Sequence, residues 1–152
     1  TDTFPKNIAV KIVIDEKEVT IGGIAKGSGM IHRNMATMLS FLTTDINIDK
    51  ELLQKAFSYS TDKTYNMISV DGDTSTNDMA GILANAAAGN KKITEENSEE
   101  YKIFKKALDY VNEELAKSIA KDGEGATKLI EVTTKNAKTK EDAKKVSKSV
   151  IT

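Results

Sequence analysis

The sequence predicts an α/β (α+β) domain of layered sheets flanked by helices. Three observations carry this reading: a pair of β-branched runs at the start, two segments with apolar residues at helical spacing, and short apolar runs set between and after them. Residues 8–14, IAVKIVI, and 18–24, EVTIGGI, are separated by Asp15-Glu16-Lys17 and read as a β-hairpin. Val10, Ile12 and Ile14 alternate with Ala9, Lys11 and Val13, so one face is apolar. A glycine-rich loop follows over 27–34, and 37–43 resumes as a strand.

Asp49 offers an N-cap ahead of KELLQKAFSYS, whose Leu52, Leu53, Ala56, Phe57 and Ser60 fall on one helical face. Residues 67–70 read as a short buried strand, and DGDTSTND, 71–78, as a turn cluster. Thr76 or Asn77 would then cap a small-residue helix, DMAGILANAAA, stopped by Gly89. The longest helix is expected over 98–120, where Tyr101, Phe104, Ala107, Leu108, Val111, Leu115 and Ile119 form one stripe that ends before Gly123. ATKLIEVTT, 126–134, reads as a strand, and 140–150 as a last helix capped by Thr139. The order β-β-β-α-β-α-α-β-α mixes hairpins with crossovers within a single domain of 152 residues.

Composition narrows the chemistry. Apolar residues at 39% and charged residues at 30% suit an ordinary globular chain, and 22 basic against 23 acidic residues make no case for nucleic acid or an anionic membrane. The apolar runs are too short to span a bilayer and no signal-peptide pattern opens the chain, so a soluble, cytoplasmic protein is expected. The absence of cysteine excludes a disulfide scaffold, a thiol nucleophile and a thiolate zinc site. A single histidine leaves little for a Ser-His-Asp triad or a multi-histidine metal centre. Covalent chemistry would have to use Ser, Thr, Lys, Asp or Glu.

The candidates gather in GIAKGSGMIHRNMATMLSFLTTD, residues 23–45. Lys26 sits among small residues, where glycine lets the backbone come close to an anionic ligand. The phosphate-loop pattern is not matched, and spacing alone favours a solvated turn lysine. His32 beside Arg33 reads as a surface loop histidine. Thr37 is, on the plain reading, the first residue of a strand; if the Ala36–Thr37 bond were cut, its new α-amine, with a reference pKa of about 8, could act as base for its own hydroxyl. Glu124, between Gly123 and Gly125, reads by spacing as a tight-turn residue after a helix end. DGDTSTND lacks the glutamate that ends an EF-hand loop and reads as a structural turn, so no metal is expected.

Taken together, AKGSGMIHRNMATMLSFLTTD, SVDGDTSTNDMAGILANAAAGN and KDGEGATKLIEV resemble the arginine-biosynthesis family of ornithine acetyltransferases, or glutamate N-acetyltransferases. The resemblance covers nearly the whole chain, and TDTFPK and KSVIT look like internal family segments, which implies the central part of a longer precursor. It implies an autoprocessing fold of the N-terminal-nucleophile type, cleaved at Ala36–Thr37, with 1–36 closing the α chain and 37–152 opening the β chain. Thr37 would then be the nucleophile carrying acetyl from N-acetylornithine to glutamate, with Lys26 and Glu124 binding substrate. The family's oxyanion donors, a Thr-Gly pair, lie upstream of this chain, and further substrate contacts lie downstream.

The resemblance further implies an α2β2 assembly and no cofactor, with acetyl-CoA as a second acetyl donor where the enzyme is bifunctional. Arg33 departs from the family, which usually has proline there; arginine releases the restraint on φ just ahead of the cleavage motif. Two alternatives stand beside this reading: a related autoprocessing aminopeptidase or acyltransferase, and a non-catalytic segment or unprocessed precursor.

Overall fold

The computed structural model describes residues 1–31, 38–72 and 77–151. Strands β1 (Lys6–Ile14) and β2 (Lys17–Lys26) form the expected antiparallel hairpin. Its link is tighter than the sequence suggested. Asp15 and Glu16 alone close it, at φ 53° and 60°, the left-handed pair whose twist matches that of the flanking strands. Strand β3 (Leu39–Thr44) adds antiparallel to β2, and β4 (Met79–Ala84) adds parallel to β3, giving one sheet in the order β1-β2-β3-β4.

Helix α1 (Lys50–Lys63) begins where expected, with the Asp49 carboxylate accepting from the Glu51 N–H at 3.0 Å. Helix α2 (Glu99–Lys121) is capped by Ser98, and all seven residues of its expected stripe are buried. They cover the inner face of the sheet, where Ile14, Val19, Ile21 and Leu42 are each at most 1% exposed. Gly23 allows the close approach of α2: a Cβ there would lie 2.9 Å from Leu115 Cδ1 and 3.3 Å from Val111 Cγ1. Within this core a polar chain runs from Ser40 Oγ to Tyr65 OH (2.8 Å), which donates to Asn112 Oδ1 (3.1 Å), whose Nδ2 donates to Ser60 Oγ (2.9 Å). Burial holds the Tyr65 phenol well above its ordinary pKa, so it stays neutral and ties β3 to α2, from which Asn112 continues the chain to α1.

Three expectations are corrected. The segment 79–84 is a strand, not the start of a small-residue helix, because its alternative to self-bonding is the open edge of β3. Asn77 therefore caps no helix there, and Thr76 lies outside the described residues. Residues 67–70 are not a strand: a 3-10 turn occupies Tyr65–Met67, and beyond it the Val70 N–H donates to the Ile31 carbonyl at 2.8 Å. Residues 126–134 have no strand partner among the described residues and run without regular structure into helix α3 (Lys140–Ile151). Thr139 does cap α3, accepting from the Asp142 N–H at 3.0 Å.

Candidate functional site

One end of the sheet brings together the segments that the sequence singled out. Lys26 ends β2 directly opposite Leu39, the first residue of β3, and Leu39 pairs on its other side with Met79. Met38 is fixed before the strand begins: its N–H donates to Asp78 Oδ1 at 2.8 Å and its carbonyl accepts from Met79 at 3.1 Å. Burial raises the Asp78 carboxyl above its ordinary pKa, against the opposing pull of the Met38 N–H and the Lys26 charge. Ala36, Thr37, His32 and Arg33 lie outside the described residues. The backbone that follows Thr37 is thus anchored at the sheet end that carries Lys26.

The loop after Lys26 is held from three sides. The Gly27 N–H donates to Asp2 Oδ1 at 2.9 Å, and the Ser28 carbonyl accepts from the Glu124 N–H at 2.6 Å. Asp71 takes the Met30 and Ile31 N–H groups on its two oxygens, at 2.5 and 3.1 Å. Gly29 packs under the Glu124 side chain: a Cβ would stand 2.9 Å from Glu124 Oε2 and 3.6 Å from Asp71 Oδ2, so a larger residue there would push the Glu124 carboxylate aside. Lys26 and Glu124 are both exposed, and both border this loop. Ser28 is buried at 3% exposure, and its hydroxyl has no hydrogen-bond partner among the described residues.

Behind the loop lies an ion cluster absent from the sequence reading. Lys6, on the core side of β1, has a fully buried ammonium placed 2.5 Å from both Asp2 Oδ1 and Asp122 Oδ2. Thr3 donates to Asp122 twice, through its N–H at 2.9 Å and through its hydroxyl. Burial alone would lower the Lys6 ammonium, but the bonds to Asp122 and Asp2 outweigh it and raise the group above its ordinary pKa. The Lys6 bond, followed by those from Thr3, holds the Asp122 carboxyl far below the usual carboxylate range.

Lys26 and Glu124 stand out in the sequence as substrate-binding residues only through resemblance, and nothing in it marks Lys6 or Asp122. The turn cluster reads as structural, and its two described ends act so, since Asp71 and Asp78 both receive backbone N–H groups. Lys6 and Asp122 are 116 positions apart, beyond the reach of any spacing rule. Among the described residues no group of three or more His, Cys, Asp or Glu is gathered as for a metal ion, and no helix is long and apolar enough to cross a membrane.

The model of the ArgJ family matches residues 1–152. The arginine biosynthesis bifunctional protein ArgJ 1 of Clostridium acetobutylicum is 63% identical over all of this chain, which covers 37% of that protein. The ArgJ of Caldanaerobacter subterraneus subsp. tengcongensis is 57% identical over 99% of the chain, again 37% of its own length. The crystal structure of the Bacillus halodurans arginine biosynthesis bifunctional protein superimposes with a TM-score of 0.72 at 52% identity, over 75% of this chain and 53% of that one. The chain therefore spans little more than a third of the length of the curated relatives it matches. Matched from end to end by the family's model, the chain belongs to the ArgJ family.

Proposed function

We propose that this chain is the central segment of a glutamate N-acetyltransferase that cleaves itself at Ala36–Thr37 and then carries acetyl on Thr37. The observation that supports the reading is the anchored Met38: held by Asp78 and Met79, the residue that follows Thr37 in sequence stands at the end of the sheet that carries Lys26. The Thr37 hydroxyl attacks the Ala36 carbonyl, the C–N bond breaks, and the acyl group passes to oxygen. Water then hydrolyses this ester, leaving the Ala36 carboxylate and a free Thr37 amine, with 1–36 ending the α chain and 37–152 opening the β chain.

In turnover the Thr37 amine takes the hydroxyl proton as oxygen attacks the acetyl carbonyl of N-acetylornithine. The amide C–N bond breaks, ornithine leaves with the proton, and acetyl-threonine remains. Glutamate's amine attacks that ester, and N-acetylglutamate departs as the hydroxyl is restored. Lys26 suits a substrate carboxylate or lowers the amine's pKa, and Glu124 suits a substrate ammonium. Each step passes through an oxyanion that needs fixed donors, which the longer protein supplies. The 152 residues alone would then fold without turning over. Acetyl-CoA as an alternative acetyl donor, an α2β2 assembly and a cytoplasmic location complete the proposal.

Intact-mass measurement on the longer protein tests it. The unsubstituted protein should split at Ala36–Thr37 and exchange acetyl between ornithine and glutamate; Thr37→Ala should stay whole and inactive, and Thr37→Ser should keep part of both. Normal turnover by Thr37→Ala would sink the mechanism.

A further inference from the structure

The Lys6 cluster joins the two segments that carry the candidate substrate-binding residues. On one arm, Asp2 receives the Lys6 ammonium and the Gly27 N–H on the same oxygen, Oδ1, so the ammonium is one carboxylate removed from the residue after Lys26. On the other arm, Asp122 receives the ammonium at the last turn of α2, two residues before Glu124. The Glu124 N–H then returns to the Ser28 carbonyl and closes a ring through the loop. Lys6 and Asp122 are buried, at 4% and 6% exposure.

We infer that Lys6, acting through Asp2 and Asp122, is a positioning residue that sets the placement of Lys26 relative to Glu124. The inference rests on the substrate-binding roles proposed above for those two side chains. A buried ion pair often adds little net stability over an apolar replacement, whereas its directional bonds define one geometry. Two carboxylates drawn to a single ammonium leave little freedom to the backbone on either side. A misplacement of the order of an ångström is enough to reduce productive binding markedly.

The test uses the longer protein with Lys6→Met, Asp122→Asn and the double variant. Lys6→Met should melt well below the unsubstituted protein, because it strands the buried Asp122 carboxylate. The double variant removes both charges and should recover most of that melting temperature. Its KM for N-acetylornithine and for glutamate should nonetheless remain raised by ~10-fold or more. If KM returns with stability, the cluster is a structural support only and the inference is overturned. Asp2→Ala covers the case in which the buried variants do not fold, since Asp2 is one-third exposed. It should raise KM with a smaller loss of melting temperature than Lys6→Met, because Asp122 still holds the ammonium, and an unchanged KM would again overturn the inference.

Amide exchange separates this inference from the proposed function. Faster exchange at both Gly27 and Glu124 in Asp2→Ala and in the double variant is expected whatever the reaction, and unaltered exchange overturns the coupling. An unsubstituted protein that shows the coupling but no acetyl exchange would remove the proposed reaction and leave the coupling standing.

Discussion

Helices α2 and α3 carry the same kind of pattern and meet opposite fates. Each has apolar residues at three- and four-residue spacing, an oxygen cap at its start and acidic residues in its first turn. Along α2 the stripe is buried, with Phe104, Leu108, Val111 and Ile119 at 0% exposure against the sheet. Along α3 nothing is buried, and Val146 and Val150 are 50% and 64% exposed. The segment leading to α3 behaves alike: Leu129 and Ile130 are exposed, and a cleft of about 710 Å³ separates this arm from α2 and the 3-10 turn. An amphipathic pattern specifies which face of an element will be covered. It does not specify that the cover is in the same 152 residues.

The comparison is broken most directly by truncating one residue in each stripe. Phe104→Ala removes a side chain at 0% exposure from between α2 and the sheet and should cost about 3–5 kcal/mol. Val150→Ala removes an exposed one and should lie within about 0.5 kcal/mol of the parent. Urea unfolding of the chain followed by circular dichroism measures both, and similar losses would mean that α3 is packed as firmly as α2.

A smaller effect sharpens the same contrast within the sheet. Gly22 and Gly23 are neighbours on β2 with opposite faces. An alanine at 23 meets Leu115, Leu42 and Val111 at 2.9–3.3 Å and should cost about 1–3 kcal/mol by overpacking. At 22 the nearest atom is Thr43 Oγ1 at 3.9 Å, so Gly22→Ala should change stability by less than about 0.5 kcal/mol. Equal effects on the urea midpoint would mean that α2 is not seated on Gly23.

These contrasts explain what was legible in the sequence. The hairpin, α1 and α2 could be read because each satisfies its own signals locally: β-branched alternation, an Asp49 or Ser98 cap, a stripe that meets a sheet close by. The strand β4 could not, since MAGILA has helix-compatible residues and becomes a strand only because the edge of β3 accepts it in parallel. Residues 126–134 fail in the opposite direction, with strand composition and no neighbour to pair with among the described residues. In the site, Lys26 and Glu124 stood out through motifs. Asp78, Asp71 and the Lys6 cluster did not, because their work is to bind backbone or charge brought near by the fold. In the sequence Asp78 reads as part of a turn before a helix, whereas its carboxylate accepts from the Met38 N–H, 40 positions away.

The smallest effect tests the helix ends themselves. Ser98 Oγ accepts from the Tyr101 N–H at 3.2 Å, and Thr139 Oγ1 accepts from the Asp142 N–H at 3.0 Å while its hydroxyl donates back to the Asp142 carboxylate. Alanine at either position should weaken its helix by about 1 kcal/mol. The consequence depends on what the helix holds. Tyr101 lies in the first turn of α2 and is 3% exposed, so loosening that turn opens the core, and Ser98→Ala should lower global stability by the full ~1 kcal/mol. The first turn of α3 covers nothing, so Thr139→Ala should leave the urea midpoint unchanged while amide exchange quickens at Asp142 and Ala143 alone. A drop in global stability from Thr139→Ala would show that α3 unfolds with the core, and the contrast between the helices would then be one of exposure and not of cooperativity.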